Sequence, residues 1–477
     1  MESFNQMLSH VVAFMWELPL VILLVGGGLF FVFHSGFKPY LYLKHALDIT
    51  LDRVAEGPSS QDRPAPTPIQ GDVSHFQALM LALSGTLGLG NISGVAVAIT
   101  LGGAGAVFWM WVTAMVGVAT KFYTATLAVQ YRGLDRNGHL QGGPMYVIRE
   151  GLGRKWLPLA WLFCVAAMFG ALPIFQINQL VQILRDFIAI PHDLATETEH
   201  FTFDLCAGSS LFALITAIVS GKLPRITAVT SRLVPFMVGL YLFMTVYVLI
   251  ANVEHIPQAL LLIFTSAFNG DSIAGGFIGS IVLTGVQRGA VSNEAGIGTE
   301  SLAHGAARTN EPIREGLVAT LGPIVDTLVV CTCTALAILV TGVSGSGLTG
   351  VSWTAQAFEQ GLPAVGGYLL TLVVFFLSTS TVLTFWYYGS KCTHFLFGSR
   401  FENIYLGFYL ILIVVGAVTS FNLVINIIDI MYATMAIPTM TSTLLLAPKV
   451  KQAANEYFNK LTKPTCKEEV PVHADPG

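Results

Sequence analysis

Two stretches of this 477-residue chain carry residues whose spacing could hold a small polar ligand inside an otherwise apolar run. The first, ALMLALSGTLGLGNISGVAVAIT, crowds Gly85, Gly88, Gly90 and Gly94 around Ser84, Thr86 and Asn91. The second, NGDSIAGGFIGSIVL, contains Gly270, Gly275, Gly276 and Gly279. Glycine lowers helix stability and permits unwinding, so each run predicts a helix broken near its middle. A half-helix starting near Gly90 would turn free N–H groups and a positive dipole end toward an anion such as a carboxylate. Unwound carbonyls can hold a cation, and the carbonyls ending near Gly275 would meet an ammonium. One site would then suit a zwitterion and a sodium ion together. Glycines in membrane helices also serve close packing, which is the reading for Gly94 and for Gly26–Gly28. Two interrupted runs in matched positions favour a site.

The elements that must position these residues follow from composition. The chain is 53% hydrophobic and only 11% charged, against about a quarter charged in a soluble domain. Most of its surface is therefore expected in lipid. About twenty apolar residues cross the hydrocarbon core. Candidate spans lie near 17–34, 76–101, 104–131, 156–184, 204–221, 231–251, 258–286, 315–342, 363–390, 403–420 and 422–447. The first residues contain no Lys or Arg, unlike a secretory signal, so the first segment is read as a true span. All but two of the 24 Lys and Arg fall in odd-numbered loops or the tail, the exceptions being Arg185 and Lys121. Positive loops stay in the cytoplasm. The N-terminus is expected outside and the C-terminus inside.

The broken spans are the second and the seventh. An odd separation makes them cross the membrane in opposite senses, the layout of an inverted repeat. The expected organisation is an extra helix and cytoplasmic connector at 1–75, five-helix repeats at 76–251 and 252–447, and a cytoplasmic tail at 448–477. The fold class is all-α and polytopic.

Within the spans, Lys121, Asp326 and Asp429 are functional candidates by cost alone. Lys121 could instead snorkel toward the cytoplasm. Asp326 is expected to pair between helices, and Asp429 to be structural. Ser292–Glu294 follows Arg288 into a cytoplasmic loop, either as a gate contact or as a helix cap. The histidines sit mostly in loops or at span ends. No nucleophile–base arrangement appears, which argues against an enzyme. The six cysteines show no metal or disulfide spacing and read as buried small hydrophobes.

At these residues the chain resembles the sodium:alanine symporters. The matching runs are SGTLGLGNISGVAVAI, GGAGAVFWMWV, ATKF, LAVQYR, GGPMYVI, GVQRGAVSNEAGIGTESLAHGAA, EGLVATLGPIVDTLVVCTCTAL and YYGSKC, which cover most of Gln77–Cys392. The resemblance implies the neurotransmitter-type sodium symporter fold. It implies sodium-driven uptake of alanine or glycine by alternating access, as a monomer in a bacterial inner membrane, with sodium as coupling ion and no other cofactor or nucleic-acid partner. By position it assigns substrate contacts to Thr86, Leu89, Gly90, Asn91, Phe169, Gln176, Gly276 and Phe277, with Asn178 nearby, and a sodium site to Ser84, Leu87, Ser380 and Thr381. Before YYG the family pattern is Gly-Trp-Ser; here it is Thr384-Phe385-Trp386. Phe385 and Trp386 are carried as pocket residues on that basis. Ser390, and Phe122–Thr124 after ATK, also lack the family's acidic residue. The alternative function is an amino-acid-binding membrane sensor without net transport.

Overall fold

An apolar run in lipid must satisfy its backbone within itself, and helices accordingly make nearly all of the regular structure. The computed structural model describes residues 2–54, 71–135, 138–268, 277–343 and 350–462. Helices α1 (Glu2–Met15) and α2 (Leu18–His34) meet at a 48° bend, where Pro19 follows the junction. After a connector come α3 (His75–Thr86), α4 (Leu89–Gly102) and α5 (Gly105–Gln130). A two-stranded hairpin, Gly133–Leu134 with Leu140–Gln141, precedes α6 (Leu157–Gly170) and α7 (Ile174–Leu184). Then follow α8 (Phe201–Val219), α9 (Lys222–Ala251), α10 (Ile256–Ala267), α11 (Phe277–Asn293) and α12 (Glu300–His304). The last group is α13 (Pro312–Thr341), α14 (Val351–Gly361), α15 (Gly366–Phe397), α16 (Glu402–Val418) and α17 (Phe421–Thr462).

Among the described residues, nine helices are long and apolar enough to cross a membrane, or ten with the bent α1–α2 pair taken as one. The expected seventh span, 258–286, runs across residues outside the described ones, and so do Gly270, Gly275 and Gly276. The flanking α10 and α11 are helical on either side.

Burial separates a centre from a lipid-facing rim. In α3–α4 and in α5, 89% of the apolar window is buried inside the protein, against 28% in α8 and 33% in α9. On α9, Phe236, Phe243 and Ile250 are exposed, as an apolar helix facing lipid requires.

Helix α11 is docked on α5 through Gly285 and Gly289, a small-xxx-small spacing that lets backbones approach closely. A Cβ at Gly285 would lie 2.5 Å from the Ala106 carbonyl oxygen, and one at Gly289 3.1 Å from Met110 Cα. At Gly28 the packing expectation holds, with Val116 Cβ 2.9 Å from such a Cβ, and at Gly27 with Met440 Cε at 2.6 Å. Gly26 meets only Ile22 of its own helix, and nothing lies within 4 Å of a Cβ at Gly94. Packing therefore does not explain either of those two.

Helix α17 runs on to Thr462, past the start of the expected tail at 448. Its end packs on the helix Leu43–Thr50 and the turn before it. Phe458 lies 4.3 Å from the Tyr42 ring, the Tyr457 hydroxyl is 2.8 Å from His45 Nε2, and Lys38 Nζ donates to Asn455 Oδ1 at 2.6 Å. Gly285→Ala is expected to destabilise the protein by about 1–3 kcal/mol through overpacking. Gly407→Ala, with nothing within 4 Å of the added carbon, is expected to leave stability unchanged or slightly raised. Thermal melting of the two variants in detergent separates them.

Candidate functional site

The first break stands where the glycines predict it. α3 ends at Thr86, α4 begins at Leu89, and Leu87 and Gly88 between them leave helical geometry, Gly88 at φ −139° and ψ −153°. The freed groups are taken by amide side chains. Asn91 Oδ1 accepts the Gly88 N–H at 3.1 Å, and Gln176 Oε1 on α7 accepts the Leu89 N–H at 3.2 Å. Gly90 follows at the helix start and lines a cavity beside the break.

A second break lies in described residues that the sequence reading assigned to a cytoplasmic loop. Between α11 and α12 the backbone has positive φ at Glu294 (55°), Gly296 (84°) and Gly298 (95°). Two of these are glycines, for which that region carries no steric penalty; Glu294 has no such freedom and is held there by its surroundings. Thr439 on α17 donates to the Ile297 carbonyl at 2.8 Å, and Tyr432 to Glu294 Oε1 at 3.0 Å. Thr299 donates to Glu294 Oε2. A signal was present in SNEAGIG, an acidic residue among closely spaced glycines. It was masked by counting Arg288 as a loop charge. Arg288 instead lies within α11 and is paired with Asp429.

The two broken elements run antiparallel. A Cβ at Gly102 would be 3.2 Å from Thr284 Cβ, and one at Gly90 3.4 Å from Ser292 Cα. Phe277 opens α11 about 22 Å before Ser292, at 1.5 Å per residue, so the backbone sets it far from this crossing. Gly276 lies outside the described residues.

The cavity at the crossing is lined by residues from both breaks, among them Thr86, Gly90, Gln176, Glu294 and Phe385. Gly94 also lines it, which accounts for a glycine with no packing neighbour. Several assigned residues lie elsewhere. Phe169 is 44% exposed on the outer face of α6, and Trp386 is buried outside the cavity lining. The 100° turn between successive helix positions gives Phe385 the cavity and turns Trp386 away from it. Asn178 donates to the carbonyls of Gly416 and Thr419, fastening α7 to α16. Asn91 is a clamp. Its Nδ2 donates to Asp326 Oδ1 at 2.6 Å and to the Asp326 carbonyl at 3.2 Å.

Asp326 sits in a π-helical turn of α13, Ile324–Cys331. Its carboxylate also accepts from Ser292 at 3.1 Å and Thr327 at 2.6 Å. One carboxylate thus ties both breaks together, consistent with an interhelical role. Lys121 does not snorkel. It is buried to 1% exposure, and a Cβ at Gly322 would lie 3.1 Å from its Nζ.

The four residues assigned to an ion meet on the other side of the first break. Ser84 donates to the Ser380 carbonyl at 2.8 Å and Thr384 donates to Ser84 at 2.9 Å. Thr381 Oγ1 lies 3.5 Å from the Leu87 carbonyl oxygen. This is an all-oxygen cluster of hydroxyls and carbonyls, the donor type that hard cations take.

Polar contacts close both ends. Toward Gly102, the Arg288–Asp429 pair is joined by Gln287 Nε2, which donates to Asp429 Oδ2 at 2.9 Å, and by Trp16 Nε1, which donates to the Asp429 carbonyl at 3.0 Å. Asp429 is thus part of the cavity's end wall. Toward His75, Glu315 bridges His75 and His304, Thr124 donates to Glu300 at 2.9 Å, and Lys391 donates to the Leu302 carbonyl at 3.1 Å. A Cβ at Gly88 would meet Thr381 Oγ1 at 2.9 Å and Gln176 Nε2 at 3.1 Å. Gly88→Ala is therefore expected to lower the melting temperature in detergent, and Gly94→Ala to leave it unchanged.

A model of the sodium:alanine symporter family matches residues 1–471. The sodium/alanine symporter AgcS of Methanococcus maripaludis is 37% identical over 97% of this chain and 98% of its own length. An uncharacterized transporter of Haemophilus influenzae is 37% identical over 96% of this chain and 97% of its own. The crystal structure of MhsT in complex with L-phenylalanine superposes with a TM-score of 0.57 over 81% of this chain and 99% of that one, at 13% identity, which shows a common fold. With a family match over nearly its whole length, the chain belongs to the sodium:alanine symporter family.

Proposed function

We propose that the chain couples sodium influx to uptake of a small neutral amino acid, alanine or glycine, by alternating access. The observation that carries this reading is the crossing of two broken helices at Gly90 and Ser292, with one cavity facing both breaks. Such breaks in lipid persist only where the backbone faces protein or a ligand, and paired ones mark transporter sites. Family membership supports sodium-coupled amino-acid transport as the general activity.

In this reading the substrate carboxylate meets the start of α4. Gln176 already occupies the Leu89 amide, so the Gly90 amide is the donor assigned to it, aided by the helix dipole. The substrate ammonium faces Glu294, which lines the cavity from the second break. Thr86 and Phe385 form the walls that set the size of the side chain. Sodium is held by Leu87 and Ser380 carbonyls with Ser84 and Thr381 hydroxyls, so the ion and the substrate share the break and each orders it for the other. The repeats 76–251 and 252–447 alternate between the two ends. Their inverted relation is supported by the antiparallel course of α3–α4 and α11–α12. The Lys and Arg distribution supports a cell-membrane orientation with the N-terminus outside. The chain works as a monomer in the inner membrane.

Purified protein in liposomes should accumulate labelled alanine under an inward sodium gradient. Equal uptake with choline or potassium in place of sodium would sink the coupling, and saturable binding without accumulation would favour the sensor. Thr381→Ala and Ser84→Ala should each raise the half-saturating sodium concentration about tenfold, as expected for roughly 1.4 kcal/mol of lost ion binding. Unaltered sodium dependence in both variants would put the ion elsewhere.

A further inference from the structure

Away from the broken helices, another pocket opens where the start of α6 meets the end of α15. Arg149 forms one wall, and Trp161 and Phe397, each about half-exposed, stand at its mouth. The exposed face of α6 continues from Trp161 through Val165 and Phe169. On α16 an exposed stripe runs through Ile404, Phe408 and Ile411. Tyr405 of α16 donates to the Met168 carbonyl of α6 at 3.1 Å. Met168 is seven residues past Trp161, so the seam between the two helices is closed about 10 Å beyond the pocket, at helical rise.

The charges at this pocket do not balance. The Arg149 guanidinium is held between two rings, 4.7 Å from the centre of Tyr146 and 5.6 Å from that of Phe395. Its Nε donates to Glu150 at 2.6 Å and its Nη2 to the Leu134 carbonyl at 2.9 Å. Its Nη1 makes no hydrogen bond among the described residues. The nearby acids are each engaged: Glu150 by Arg149, Asp135 by the His139 N–H at 2.9 Å, and Glu402 by His394 Nε2 at 2.9 Å. Arg154 and Lys155 on the turn before α6, and Arg400 on the turn before α16, are exposed and form no ion pair among the described residues. Helix α6 itself starts with no side-chain cap and no acidic residue in its first turn, so its positive dipole end adds to the excess.

We infer that this pocket binds the headgroup of an anionic phospholipid, with the phosphodiester on Arg149 and the acyl chains along the exposed faces of α6 and α16. A guanidinium fork fixed between rings matches two phosphate oxygens. Tryptophan at the mouth suits the boundary between headgroups and hydrocarbon, and basic pockets between spans are where anionic headgroups bind. A soluble phosphate would gain nothing from Trp161 and Phe397. The choline of a zwitterionic lipid would set a fixed cation among Arg154, Lys155 and Arg400. An uncharged apolar chain would leave Arg149 Nη1 without an acceptor. The inference needs only that the chain spans a bilayer, and it stands apart from the choice of transported solute.

The test uses the full chain, stripped of lipid in detergent. Dioleoyl phosphatidylglycerol, dioleoyl phosphatidylcholine and inorganic phosphate are compared as stabilisers in thermal melts, since a ligand of the folded state raises the melting temperature by mass action. Native mass spectrometry counts the lipid retained. Phosphatidylglycerol should stabilise at a concentration at least tenfold below phosphatidylcholine, and inorganic phosphate should have no effect. In Arg149→Gln, and in the double variant Arg154→Gln/Lys155→Gln, that preference should fall about tenfold. Lys460→Gln, an exposed charge at the end of α17, should leave it unchanged. The double variant alters exposed side chains only, so it decides the matter if Arg149→Gln does not fold. Equal stabilisation by the two lipids would overturn the inference, and so would a preference that survives the variants. An equal loss in Lys460→Gln would overturn it in favour of general attraction to a charged surface. Inorganic phosphate matching the lipid would overturn it in favour of a soluble anion.

Discussion

A polypeptide that unwinds inside a bilayer has no water to satisfy the groups it frees. That constraint governs the centre of this molecule. At the first break two side-chain amides, Asn91 and Gln176, take the place water would have, each accepting one backbone N–H. Neither can do so alone. Asn91 is held by Asp326, and the Asp326 carboxylate reaches Ser292 beside the second break. Three helices must be in register for one loop of backbone to be stable. The π-helical turn at Ile324–Cys331 is the local distortion that comes with presenting Asp326 to both partners, in keeping with the frequent use of such turns at functional sites.

The same network explains why so many charged and amide groups are buried near the centre. Lys121, Glu294 and Asp326 are all buried there, where any one of them charged and alone would be costly. Removing one member of such a set leaves the others buried and unpaired, which is costlier than never having built it. Charge near the cavity is thus jointly determined, and no single residue in it can be read by itself.

Much of this was legible in the sequence. The first break was visible because Gly85, Gly88 and Gly90 stand together in an apolar run with Asn91 among them, and glycine has few other reasons to crowd a helix middle. Gln176 and the Ser84–Leu87–Ser380–Thr381 group come together at that break. The second break expected around Gly270–Gly279 falls largely outside the described residues, and the one between α11 and α12 was not anticipated. An arginine and a glutamate within seven residues read as a loop, because their compensation by Asp429 and Tyr432 comes from a distant segment. Phe169 failed for a related reason: a string match carries residue identity but not which face of a helix looks inward. The tie of Asn91 to Asp326 was not legible, since a hydrogen bond to a carboxylate 235 positions away has no signature in local pattern.

Helix α17 has one more implication. Its 42 residues extend about 63 Å at helical rise. Near one end Asp429 closes the cavity; near the other, Tyr457 and Phe458 grip the segment before the first broken helix. Two prolines, Pro438 and Pro448, lie between. The element is therefore a lever with built-in pivots. A change in the wall around Asp429 has a mechanical route to the segment before α3 that does not pass through the cavity.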